Sequence, residues 1–482
     1  MTRRLAVPLA FVAVASSVVA VVALSGLLSP APPDSAPAGA FWLTVLWASW
    51  AASLAWALTR RSFSMLFTAV LMAMFLFVLL PATGAEAFGR TTIAGNDYQG
   101  GVDLALQIAA LAQAGMLLGA IAARTLWPFP PMRRLPVTLS GPRLDRAARR
   151  ALVTGIAAVA AMIVLGHASP RDFFAYTSPG GYGTFYRELT GNLAFLSVAQ
   201  CVAGLAIVLL PLRLGRATPA RIARPLLVAA LAAVVLLGDG QRGRFFVPVC
   251  AAGLIWLKTS ARPLPPRRLA AAGMLAVVGA AALIAVARGA AGSRDVTPGA
   301  VLAQPFGSGN DLFLPLAGLA GTVPDGTPYL HGASYLQTVI FPIPRALWSG
   351  KPQDAISVVT GQMDPGNSGI AFPEFGEMYA NFGLPGALIG SVLFGALTEL
   401  LALRLAGSAS LRESVLVAVG GSVLLDIFTR GAIAAMLTSF AGLLAVTALA
   451  CRRRSALLED VPRPVPVPPP RPGNVRWPAA TA

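Results

Sequence analysis

Apolar residues in this chain run in long blocks broken by short clusters of arginine, proline and glycine, a pattern of repeated membrane crossings. Crossing about 30 Å of hydrocarbon takes about 20 helical residues. Runs of that order lie near 5–28, 40–58, 62–81, 102–123, 151–167, 190–212, 269–287, 382–403 and 432–450, and shorter ones lie at 225–238, 245–257 and 414–428. The expectation is an all-α, polytopic membrane protein of about twelve transmembrane helices. The first run follows Arg3 and Arg4 and is too long for the core of a usual signal peptide, so it reads as an uncleaved helix.

Charge supplies an orientation. Short cytoplasmic loops collect Lys and Arg, and Arg3–Arg4, Arg60–Arg61, Arg124 to Arg150, Arg213 to Arg224, Lys258 to Arg268, Arg404 to Arg412 and Arg452 to Arg454 all fall on one side. Both termini are then cytoplasmic. The other side carries loops at 82–101 and 168–189 and a long segment from Arg288 to about Asn381, whose apolar and aromatic content argues for an ordered extracytoplasmic loop. The domain reading is N-terminal helices over 1–287, the long loop over 288–381, C-terminal helices over 382–451 and a Pro/Arg-rich, disordered cytoplasmic tail over 452–482.

Composition agrees: 56% of residues are hydrophobic, 12% are charged and mean hydropathy is +0.70, against roughly 25% charge in a soluble domain. The net charge of +17 is almost all arginine, scattered through loops without a basic stripe, which excludes a nucleic-acid partner. Cys201, Cys250 and Cys451 lie within or at the end of apolar runs, and no ligand cluster suggests a metal or another cofactor. No internal repeat of the kind common in secondary transporters is found.

Candidate chemistry begins where helices are too short. Pro225 to Leu257 must cross twice in fewer than the roughly 40 residues two crossings need, which sinks its apex, Gly238-Asp-Gly-Gln-Arg-Gly-Arg244, below the membrane surface. Ser414 to Ala450 is also short, with its apex at Asp426-Ile-Phe-Thr-Arg-Gly431. Arg242, Arg244 and Arg430 are therefore expected near membrane depth, where charge is expensive and usually functional. They read as an anion site; the alternative is that they snorkel outward or pair with Asp239 and Asp426. Arg288, Arg294, Arg345 and Lys351 add cations on the same side. The planar fork of arginine suits phosphate, and with no P-loop present the expected guest is a lipid-borne pyrophosphate.

The segments His331-Gly-Ala-Ser-Tyr335, Phe341-Pro-Ile-Pro-Arg-Ala-Leu-Trp-Ser-Gly-Lys-Pro352 and Glu374-Phe-Gly-Glu-Met-Tyr-Ala-Asn-Phe-Gly-Leu-Pro-Gly386 resemble bacterial oligosaccharide repeat-unit polymerases, the Wzy-type O-antigen polymerases. The resemblance is strongest over 325–390. It implies a GT-C-like helical architecture in the bacterial cell membrane and an active site facing outside. The implied reaction is glycosyl transfer from an undecaprenyl-pyrophosphate-linked oligosaccharide to another lipid-linked repeat unit, building a surface polysaccharide. It also implies membrane lipids, a flippase and a chain-length regulator as partners. Under this reading Arg242, Arg345 and Arg430, with Arg244, Arg288, Arg294 and Lys351 behind them, bind the pyrophosphate and stabilise its growing charge. Glu377, Glu374 or His331 takes the proton of the acceptor hydroxyl. The two glutamates are three residues apart and share a face if helical; Glu377 is slightly preferred, against the alternative that it only orders the loop. Glu399 is expected to pair with an arginine. A ligase using another acceptor, a flippase of lipid-linked sugar and a scaffold remain as alternatives.

Overall fold

The structure is a computed structural model describing residues 36–59, 64–93, 96–127, 135, 141–165, 173, 194–214, 222–237, 242–260, 312–340, 343, 347–351, 355–363, 371–431 and 433–450. The runs expected at 5–28 and 269–287, the tail from 452, and Asp239, Arg288, Arg294 and Arg345 lie outside the described residues.

The chain is an all-α, multi-pass membrane protein. In chain order its helices are α1 (Ala36–Thr59), α2 (Met65–Phe88), α3 (Val102–Leu126), α4 (Gly141–Leu165), α5 (Ala194–Cys201), α6 (Gly204–Val208), α7 (Leu210–Leu214), α8 (Ala223–Leu237), α9 (Arg242–Thr259), α10 (Phe313–Thr322), α11 (Ala333–Ile340), α12 (Ala355–Met363), α13 (Glu374–Gly407), α14 (Leu411–Arg430) and α15 (Ile433–Ala450). A two-residue antiparallel ribbon, β1 (Thr92–Ile93) with β2 (Asn96–Asp97), joins α2 to α3.

The expected helix count is corrected. Among the described residues about five helices, not twelve, are long and apolar enough to cross a membrane: Gly39–Ala57, Met65–Phe88, Gln99–Leu126, Leu144–Leu165 and Glu374–Gly407. The run at 190–212 divides into α5, α6 and α7. One cause is Pro211, which has no N–H to continue the ladder to Ile207. Helices α8, α10 and α15 are apolar but short, whereas α9 and α14 carry Arg242, Arg244 and Lys258, and Arg412, Glu413, Asp426 and Arg430. Hydropathy alone cannot tell a crossing from a helix that is apolar because other helices cover it. Phe313, Leu314, Leu316 and Leu319 of α10 are that second kind, buried in a core shared with α2 and α3.

Prolines tie these parts together. Pro81 cannot donate to the carbonyl of Phe77 four residues back; the N–H of Leu312 does so instead, at 2.9 Å, pinning the entry of α10 to the π-helical turn Phe75–Leu79 inside α2. The broadest helix contact is α3 on α13. It rests on Gly115 and Gly119 of α3 and Gly395 of α13. A methyl group at Gly119 would overlap the carbonyl of Val392, and one at Gly395 the carbonyl of Met116. Small residues four apart let membrane helices approach to backbone contact, where dispersion does the work the hydrophobic effect cannot do in lipid.

Helix α13 begins at Glu374 and kinks at Gly383, whose φ of 68° lies in the left-handed region. The kink and Pro385 together strip Ala380 and Asn381 of their helical donors. Their carbonyls accept instead from Leu330 N–H at 2.9 Å and His331 N–H at 3.1 Å.

Candidate functional site

The first turn of α13 carries Glu374 and Glu377, both almost fully buried. A helix N-terminus offers unpaired N–H groups and a positive dipole end, which favours carboxylates there. Glu377 serves a second helix as well: its Oε2 accepts from the N–H of Ile433, the first residue of α15, at 3.1 Å. Glu374 lies against Glu377 and also reaches α11. Its Oε1 accepts from the Tyr335 hydroxyl of α11 at 3.3 Å, while its Oε2 is buried without a hydrogen bond among the described residues. Burial first, and then the neighbouring Glu374 carboxyl, hold the Tyr335 phenol well above its ordinary value, so it stays protonated and donates.

Asn381 fixes the distance between α11 and α13. Its Oδ1 accepts from Gly332 N–H at 2.9 Å, and its Nδ2 donates to Ser334 Oγ at 2.7 Å and to Glu377 O at 2.8 Å. The turn into α11 bends through His331 and Gly332, with φ of 46° and 87°. Asn381→Ala leaves these buried groups unmatched and is expected to cost about 1–3 kcal/mol. A thermal melt of the detergent-solubilised protein checks this; an unchanged midpoint would remove Asn381 from the account.

A groove of about 470 Å³ runs from this corner along α13. Among the described residues Glu374 and Tyr335 are its polar lining, and Phe382, Ile389, Leu393 and Ile433 stand for its apolar wall. The same groove contacts α14 at Leu424 and Ile427.

Arg430 lies one turn further along α14. Arg430 closes that helix and pairs through Nε with Asp426 Oδ1 at 3.5 Å. Gly243, in the first turn of α9, lies against both: a methyl there would stand 2.6 Å from Asp426 Oδ1 and 3.1 Å from Arg430 Nε. The pairing of Arg430 with Asp426, given above as the alternative to an anion site, is thus present. Arg242 opens α9 beside Gly243. Arg244 is buried and turned into the bundle, donating from Nη1 to Gln200 Oε1 at 2.7 Å, with Gln200 itself anchored on Val235 O at 2.6 Å.

The structure therefore brings Glu374, Glu377, Arg430 and the start of α9 to one corner, where α13, α14 and α15 meet. His331 has an exposed side chain and holds α13 through its backbone. Lys351 donates to Ile343 O at 3.0 Å. Among the described residues no group of three or more His, Cys, Asp or Glu side chains is placed to hold a metal ion. Glu399 is paired with Arg124, whose guanidinium lies 4.8 Å from the Trp56 ring. Sequence reasoning missed Tyr335, Asn381 and Gln200 as parts of the site. A polar side chain beside Gly383 and Pro385 was the available signal for Asn381; Tyr335 and Gln200 gave none, because their partners are distant in sequence. Comparisons with protein-family models, curated proteins and solved structures find no match for the chain.

Proposed function

We propose that this protein is a membrane glycosyltransferase that polymerises undecaprenyl-pyrophosphate-linked oligosaccharide units on the extracytoplasmic side of a bacterial cell membrane. The observation that carries the reading is the Glu374 carboxyl: the residue lines an apolar groove beside a membrane-spanning helix, and its Oε2 is buried with no hydrogen bond among the described residues. A buried acceptor left bare is costly unless a donor arrives, and an acceptor sugar hydroxyl is such a donor. The hydroxyl oxygen of that sugar attacks the anomeric carbon of the donor glycan and gives its proton to Glu374. The bond from the anomeric carbon to the pyrophosphate breaks, and its electron pair leaves with the lipid pyrophosphate. Arg430 keeps its two terminal nitrogens for that leaving group while Nε stays on Asp426. Glu377, engaged with α15, orders the corner, which makes Glu374 the better base of the two.

Deletion of the gene followed by analysis of lipid-linked and surface glycan tests the reading. The expected result is loss of polymer with accumulation of single lipid-linked repeats exposed outside the membrane. Free polymer no longer joined to its final acceptor would indicate a ligase, repeats trapped inside a flippase, and an unchanged glycan profile would discard glycan chemistry altogether.

A further inference from the structure

We infer that α11 lies in the headgroup–hydrocarbon boundary of one membrane leaflet, with its exposed apolar side chains against lipid. The helix belongs to what the sequence presents as a water-facing loop. Its exposed side chains are of the wrong kind for water: Leu336 is 72% exposed and Val339 78%, and beyond the helix Leu347 is 80% exposed and Ile343 and Trp348 also reach the surface. Leu336 and Val339 stand three residues apart on α11, the spacing of a single helix face.

The hydrogen-bonded positions of α11 are Ser334 and Tyr335. Ser334 is held by Asn381 and Tyr335 by Glu374, so α11 turns its hydrogen-bonding groups to the protein and its hydrocarbon outward. At eight residues, or about 12 Å, it is too short to cross a bilayer. An amphipathic helix with that arrangement settles in the interface plane. Trp348, exposed at the surface beyond α11, is a residue type that seats there, with its indole at headgroup level.

Continuity with a lipid-facing surface selects the occupant. The Tyr335 ring stacks on Phe382 at 6.4 Å, and Phe382 is exposed at the head of a strip continuing through Ile389, Leu393 and Leu397 along spanning helix α13. One apolar surface thus runs from α11 down α13, and the groove ending at Glu374 opens on it. The site is reached from the bilayer. This placement stands on exposure and packing alone, whatever reaction the corner performs.

The test uses the full chain reconstituted in phosphatidylglycerol/phosphatidylethanolamine vesicles. Leu336→Cys, Val339→Cys, Leu393→Cys and Asp325→Cys are each spin-labelled, and the signal of the labelled wild-type chain is subtracted. Leu393 supplies the lipid reference and exposed Asp325 the water reference. Labels at 336 and 339 are expected to relax with oxygen in preference to a water-soluble nickel chelate, with a ratio several-fold above that at 325 and close to that at 393. A ratio matching position 325 would overturn the proposal. Low collision rates with both reagents would overturn it too, by showing the face covered by protein, a second copy or another chain. Either surface variant suffices if the other folds poorly.

Discussion

Gly119→Ala is expected to remove most of the folded protein. The new carbon would overlap the carbonyl of Val392 and stand 2.8 Å from the backbone nitrogen of Ala396, both on α13. Neither is the far end of a flexible side chain, so relief requires moving one long helix off another. Overpacking usually costs about 1–3 kcal/mol, and a backbone obstacle places this case at or above the top of that range. The same substitution at Gly420 of α14 is the control, because nothing lies within 4 Å of the added carbon there. Alanine at 420 should be neutral or stabilise by up to about 1 kcal/mol through helix propensity. Midpoints of thermal unfolding in one detergent compare the two directly. Equal midpoints would mean that α3 and α13 do not meet at this glycine.

The second large effect separates the two glutamates. Glu374→Gln keeps the shape and an acceptor for Tyr335 but cannot take a proton, so polymer formation should fall by about 10²–10⁴-fold, the usual contribution of a general base. Glu377→Gln retains an amide oxygen for the Ile433 N–H and should leave both the melt and most of the activity in place. Both variants are scored on lipid-linked substrate in vesicles, with folded yield measured alongside. The reverse ranking, activity lost at 377 and kept at 374, would transfer the base to Glu377. Loss at neither would remove the carboxyl pair from the chemistry while leaving α13 and α15 joined as described.

Parts of this were legible in the chain. The long apolar runs at 40–58, 62–81 and 102–123 correspond to α1, α2 and α3, because an uninterrupted hydrophobic stretch of that length has one economical solution in lipid. The three-residue spacing of Glu374 and Glu377 placed them on one helical face, and both do fall in the first turn of α13. A carboxylate such as Glu399, buried within an apolar helix, called for a cation, and Arg124 supplies it. Local periodicity and the cost of bare charge decide such features, and both are written in neighbouring residues.

Other features depended on which helices meet. Composition alone did not separate the short helices α8, α10 and α15 from crossings, since burial between helices and burial in lipid select the same side chains. Nor could it choose between Glu374 and Glu377: their environments differ only because α15 begins at one carboxylate and α11 brings a phenol to the other. Asn381 acquired its four-residue network only when Gly383 and Pro385 left two carbonyls open and the turn at 330–332 arrived to take them. The sequence by itself determined that this is a helical membrane protein with charged groups set among apolar ones. Which of those groups are paired, and which carboxyl lines the groove, was decided by contacts between residues far apart in the chain, where no local pattern records the partner.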